Sequence, residues 1–186
     1  MSKNTAGFII LGIISISGLG LGGYTFYTTT LSSQIEEDQG LILVGIWDEL
    51  YYNTEYAPYT ATSYWLLEYG SNRLNNSAYV SVSNNNTRIT FLKPGWYRIQ
   101  LTMVLSSLDA GSWYWIIILK NGVQEFYLLY HETSGTPESD YLCIDSDAFV
   151  YSNGTNYFEI LGDSNGEPFS PGGSQIYNQL TIEFVL

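Results

Sequence analysis

Residues 87–101 read TRITFLKPGWYRIQL: an alternating stretch, a break at Lys93, Pro94 and Gly95, then a second alternating stretch opened by two aromatics. Ile89 and Phe91 share one face of the first stretch, and Tyr97, Ile99 and Leu101 share one face of the second. Pro94 fixes φ near the value a turn needs at its second position, and Gly95 permits the positive φ of a type II turn. The pattern therefore predicts two strands whose apolar faces return to one core.

Working outward, short apolar or aromatic runs alternate from residue 41 onward with clusters of Asn, Gly, Ser, Asp and Pro, the punctuation of an all-β sandwich. The predicted strands are Leu41–Trp47, Ser63–Tyr69, Ala78–Ser83, Arg88–Leu92, Trp96–Ser106, Trp113–Leu119, Gln124–His131, Tyr141–Tyr151, Asn156–Leu161 and Gln179–Leu186. Ten strands suffice for two facing antiparallel sheets. The alternation is cleanest at Tyr97, Ile99, Leu101, Met103 and Leu105, opposed by Arg98, Gln100 and Thr102, and at Leu180, Ile182, Phe184 and Leu186, opposed by Thr181 and Glu183. The terminal strand LTIEFVL is expected inside a sheet, since a loose apolar edge invites aggregation.

The quoted break carries a resemblance. Phe91, Pro94, Gly95 and Tyr97, followed by Ile99 and Leu101, look like the signature shared by the complement C-one-q globular head and the tumour necrosis factor superfamily. WIIILKNGVQE, with Asn121 and Gly122 at a two-residue hairpin turn, resembles a strand-turn-strand unit of those heads. YFEILGD, a Gly-rich loop and the last strand resemble their closing strands. The resemblance spans residues 41–186 and implies a ten-strand jelly roll that packs as a homotrimer around a threefold axis and presents loops and inter-subunit grooves to a partner. The collagen stem usual in complement C-one-q proteins has no counterpart, because no Gly-x-y repeat occurs.

Ahead of this head, residues 6–27 form an apolar run without a charge, long enough to cross a bilayer as a helix. Lys3 precedes it and Glu36, Glu37 and Asp38 follow, so the positive-inside rule leaves residues 1–5 in the cytoplasm and residues 28–186 outside. Tyr24, Phe26 and Tyr27 fit the outer interface. A signal peptide cleaved near Gly20–Gly23 is the rival reading, and would make the protein secreted. Residues 28–40 read as a short stalk.

Six basic residues against eighteen acidic ones, a net charge of -12, leave no basic patch for nucleic acid and favour attraction of cations. Cys143 is the single cysteine, so no intrachain disulfide forms, and its apparent strand setting predicts packing as a small hydrophobe. His131 is the single histidine, which excludes a His-rich metal site within one chain and leaves a Cys143–His131 dyad without a third group. No catalytic residue, phosphate cradle or cofactor site is assigned. Asp145 and Asp147, and Asp163, Asn165 and Glu167, offer oxygen ligands at alternating positions, as calcium takes. Asn75, Asn85 and Asn153 begin Asn-x-Ser/Thr sequons. Tyr51, Tyr52, Tyr56 and Tyr59 make a dense aromatic stretch, a candidate contact loop or loop packing.

The expected function is a non-enzymatic extracellular recognition or adhesion module, a membrane-tethered homotrimer at the cell surface that binds a protein or a glycan. Two alternatives fit the same pattern: a structural subunit of a surface layer, filament or virion coat, and a carbohydrate-binding module with stacking aromatics and an acidic calcium loop.

Overall fold

The computed structural model describes residues 40–46, 63–69, 71–83, 86–134, 141–172 and 176–185, which are strands, turns and connecting segments with no helix among them. The expected anchor at 6–27, residues 28–39 of the expected stalk, the tyrosine stretch at 51–59 and the sequon at Asn85 lie outside the described residues, and Gly40, expected as the last stalk residue, opens the first strand. Twelve strands are present among the described residues, where the sequence pattern predicted ten: β1 Gly40–Ile46, β2 Tyr64–Leu66, β3 Ser71–Asn75, β4 Val80–Ser83, β5 Arg88–Phe91, β6 Pro94–Ser106, β7 Trp113–Lys120, β8 Val123–Glu132, β9 Tyr141–Asn153, β10 Tyr157–Ser164, β11 Ser170–Pro171 and β12 Gln179–Phe184. The two that the pattern did not predict are β3, whose SNRLN lacks apolar alternation, and the two-residue β11.

These form two antiparallel sheets facing one another across a single core. In the first, β6 lies between β9 on one edge and β12 with β11 on the other, and the order continues through β1 to β3. In the second, β10 lies between β7 on one edge and β5 with β2 on the other, with β4 beyond β5 and β8 beyond β7. The last strand is interior as expected, flanked by β6 and β1.

Period-2 burial along β6 follows from the pleat: Tyr97, Ile99, Leu101, Met103 and Leu105 are buried, and the residues between them face outward. Val150, Ala148 and Ile144 of β9 and Leu180, Ile182 and Phe184 of β12 join them. The opposite sheet supplies Ile89, Phe91, Tyr114, Ile116, Ile118, Phe158 and Ile160.

The break at residues 92–95 returns both apolar faces to one core as expected, but not through the expected type II turn. β5 belongs to the second sheet and β6 to the first, so Leu92 and Lys93 carry the chain from one layer to the other. Pro94 is already the first residue of β6, opposite Asn153, the position where a strand tolerates a missing N–H. Gly95 opposite Ser152 has φ 151°, outside the type II value and open to glycine. The crossover brings Phe91 and Tyr97 face to face at 3.9 Å, with Phe158 and Phe184 packed on the pair at 4.6 and 5.1 Å. The Tyr97 hydroxyl donates to the Lys93 carbonyl at 2.7 Å and so closes the crossover over its own core residue. Burial pushes the Tyr97 phenol up to about 12.

Asn121 and Gly122 form the expected two-residue hairpin between Lys120 and Val123, both with positive φ (53° and 77°), as a type I′ turn requires. The Asn121 carboxamide oxygen also accepts the Tyr157 N–H at 3.1 Å, tying this turn to β10.

Candidate interaction faces

With both inner faces in the core, the outer face of each sheet is what the fold offers to a partner. On the first sheet, the register Trp96↔Tyr151, Arg98↔Phe149, Gln100↔Asp147, Thr102↔Asp145 and Val104↔Cys143 sets these residues side by side. Trp96, Phe149 and Tyr151 are 49%, 57% and 45% exposed, and the Trp96 and Tyr151 rings meet edge to face at 5.6 Å. The three rings leave roughly 300 Å² of aromatic surface in water, within the range of the largest apolar patch of an ordinary single-chain protein, a patch that is often functional.

Next to the rings lies a charged centre. Arg98 Nε donates to Asp147 Oδ2 at 2.7 Å, and its guanidinium stands 3.7 Å from Glu183 on β12. The hydrogen bond to Asp147 and its charge hold the Arg98 pKa above its ordinary value. Asp145 accepts weakly from Gln100 and Thr102, at 3.4 and 3.3 Å. Cys143 is exposed on this face rather than packed as a hydrophobe, because the β9 register turns odd-numbered residues outward.

On the second sheet, β10 presents Tyr157, Glu159, Leu161 and Asp163 outward, in step with Trp115, Ile117 and Leu119 of β7. Ile117, Leu119 and Leu161 form a hydrophobic cluster apart from the core, with Leu66 and Trp115 packed against it. Tyr130 stands beside it, 61% exposed, with Trp113, Trp115 and Tyr127 at 5.2, 6.0 and 5.8 Å and at steep angles. The nearby cations are engaged: Arg88 lies 3.8 Å above the Tyr157 ring and donates to Glu159 at 3.0 Å, and Lys120 reaches Glu125 at 3.5 Å.

The calcium candidates are not brought together. Asp145 and Asp147 project from the first sheet, whereas Asp163 and Asn165 belong to the second sheet and its following turn. Asp163 accepts the Ser164 N–H and Asn165 accepts the Trp113 N–H. Among the described residues, no group of three or more His, Cys, Asp or Glu is arranged to hold a metal ion. Asn75 and Asn153 are exposed at the ends of β3 and β9, and Asn153 accepts both the N–H and the hydroxyl of Thr155. Of the motif residues, Phe91 and Tyr97 are core, Pro94 and Gly95 start β6, and Asn121 and Gly122 make a turn. All six build the fold.

The exposed rings were not singled out from the sequence, although a signal was there. Trp96 falls in phase with Arg98 and Gln100, on the side that the pattern assigned to solvent. Its neighbours Phe149 and Tyr151 become visible only through the β6–β9 register.

Sheet order, crossover and interior last strand define a tumour necrosis factor-like jelly roll, the fold that the Pro94-Gly95 stretch resembled. A crystal structure of murine APRIL, a tumour necrosis factor-family protein, at pH 5.0 superposes with a TM-score of 0.52 and 11% identity, over 78% of this chain and 98% of that one. A second murine APRIL structure, at pH 8.0, has a TM-score of 0.49 and 10% identity over 78% of this chain and 98% of that one. No protein-family model matches the chain, and no curated protein matches it in sequence.

Proposed function

We propose that this chain is a non-enzymatic extracellular recognition head that works as a homotrimer, tethered to the cell surface through residues 6–27. The observation that carries the reading is the aromatic outer face of the first sheet. Trp96, Phe149 and Tyr151 sit where a solvent-facing strand surface should be polar, and a second copy of the chain is the partner that would remove them from water. Full coverage of these rings contributes up to about 7 kcal/mol per subunit before the cost of association, enough to form the centre of an interface. A threefold arrangement closes on itself, so each patch is used once and assembly stops at three. The likeness in fold to murine APRIL supports a head of this kind.

The test is the double substitution Phe149→Thr with Tyr151→Thr, which puts β-branched, strand-favouring residues into β9 while deleting both rings. The native protein is expected at the mass of three chains, and the double variant at one chain over the same micromolar range, with its melting transition still cooperative. A variant that keeps the native mass contradicts this assignment of the face.

A further inference from the structure

The outer face of the second sheet holds chemistry that self-association through the first sheet leaves unused. Cross-strand register lines up Tyr64, Asp163, Trp115 and Tyr130 in one row across β2, β10, β7 and β8. A carboxylate thus stands between two aromatic side chains, and Tyr64 and Tyr130 at the ends of the row are 60% and 61% exposed. Four and six residues earlier on the same face of β10, Glu159 and Tyr157 build the same pairing of carboxylate and ring, and there Arg88 takes both: its guanidinium lies 3.8 Å over the Tyr157 ring and 3.0 Å from Glu159. Asp163 has one oxygen on the Ser164 N–H, and no Lys or Arg among the described residues pairs with it.

We infer that the Asp163–Trp115–Tyr130 row docks a basic side chain, an arginine above all, from the surface of a protein partner. The inference deepens the recognition-head reading and rests on it. Charge selects the occupant. Carboxylates outnumber basic residues eighteen to six, and Arg88, Arg98 and Lys120 are already ion-paired, so the surface attracts cations and repels anions. Geometry selects arginine, whose planar group stacks on a ring and bonds a carboxylate at once. A sugar fits less well. Tyr130 stands at 66°, 60° and 84° to Trp113, Trp115 and Tyr127, so the rings form walls rather than the flat platform on which a pyranose stacks.

The experiment titrates the full-length protein with a nona-arginine peptide and with a citrulline peptide of equal length, at physiological salt, followed by tryptophan fluorescence. The arginine peptide is expected to bind and the citrulline peptide not. Asp163→Asn is expected to weaken the arginine peptide about tenfold and Tyr130→Ala several-fold, while Glu167→Gln, a carboxylate in the neighbouring turn, stays within twofold. Melting curves check that each variant is folded. Equal weakening by Asp163→Asn and Glu167→Gln would mean diffuse attraction and overturn the inference. So would equal binding of the citrulline peptide, or saturation by cellohexaose that is indifferent to Asp163→Asn, which would make the face a sugar site. Light scattering on the same samples separates the two levels: trimers without an Asp163 effect overturn the docking row alone, and single chains overturn the trimeric reading.

Discussion

Gly162 lies opposite Ile116 and Trp65 on the inner face of β10, and the Trp65 indole occupies the space that a side chain there would need. A Cβ placed on Gly162 would stand 2.2, 2.3 and 2.5 Å from Cζ2, Cε2 and Cη2 of that ring, where ordinary contact begins at 3.4 Å. Gly162→Ala therefore forces the indole outward by more than 1 Å. The ring cannot give easily: it is buried, its Nε1 donates to the Phe169 carbonyl at 3.0 Å, and it packs on the Phe169 ring at 5.2 Å. Overpacking of this kind costs about 1–3 kcal/mol, and loss of the buried hydrogen bond adds about 1–3 kcal/mol. Together they lower the melting temperature by roughly 6–20 °C for a domain of this size. Thermal unfolding by circular dichroism measures the loss, and Trp65→Phe in the Gly162→Ala background should recover part of it by shortening the ring system. A Gly162→Ala protein that melts within 1 °C of the parent would refute the packing described for β2 against β10.

Arg88→Ala should destabilise the fold by about 1–3 kcal/mol, because it leaves the 5%-exposed Glu159 without its cation while Arg88 itself is one-third exposed, and Arg88→Lys should keep part of the loss from appearing. Denaturant midpoints decide it, and a change below a few tenths of a kcal/mol would contradict the pairing. Burial raises the Tyr97 phenol to about 12 and the Tyr69 phenol further, so the stability they contribute is complete below pH 10 and is lost as pH rises through 12. Melting temperature should fall across pH 10–12, with the last tyrosines ionising at 295 nm only as the fold is lost; titration of all 17 near pH 10 in an intact fold would sink this.

Much of the core was legible because strand alternation is a local signal. Tyr97 to Leu105 and Leu180 to Phe184 announce their inner face within a few residues, and Asn121-Gly122 announces its hairpin because only such residues accept two successive positive φ values. What failed to appear was non-local. The Pro94-Gly95 break reads alike whether the chain turns back beside itself or crosses to the facing sheet, and only the partners of β5 and β6 distinguish the two. Among the described residues β3 is an edge strand paired with β1 alone, and its SNRLN has no apolar phase to detect. Cys143 was misplaced for a related reason: CID carries no alternation strong enough to show which residue faces in. The two outer faces depend on register between strands far apart in sequence, Trp96 with Tyr151 and Asp163 with Trp115, and no pattern within one strand contains that.

Trimeric self-association is the central claim, and the mass of residues 41–186, the compact unit that holds both sheets, tests it most directly. Light scattering from low micromolar to millimolar concentration should return a constant mass of three chains. A constant mass of one chain, or a mass that climbs with concentration as an open polymer does, would contradict it.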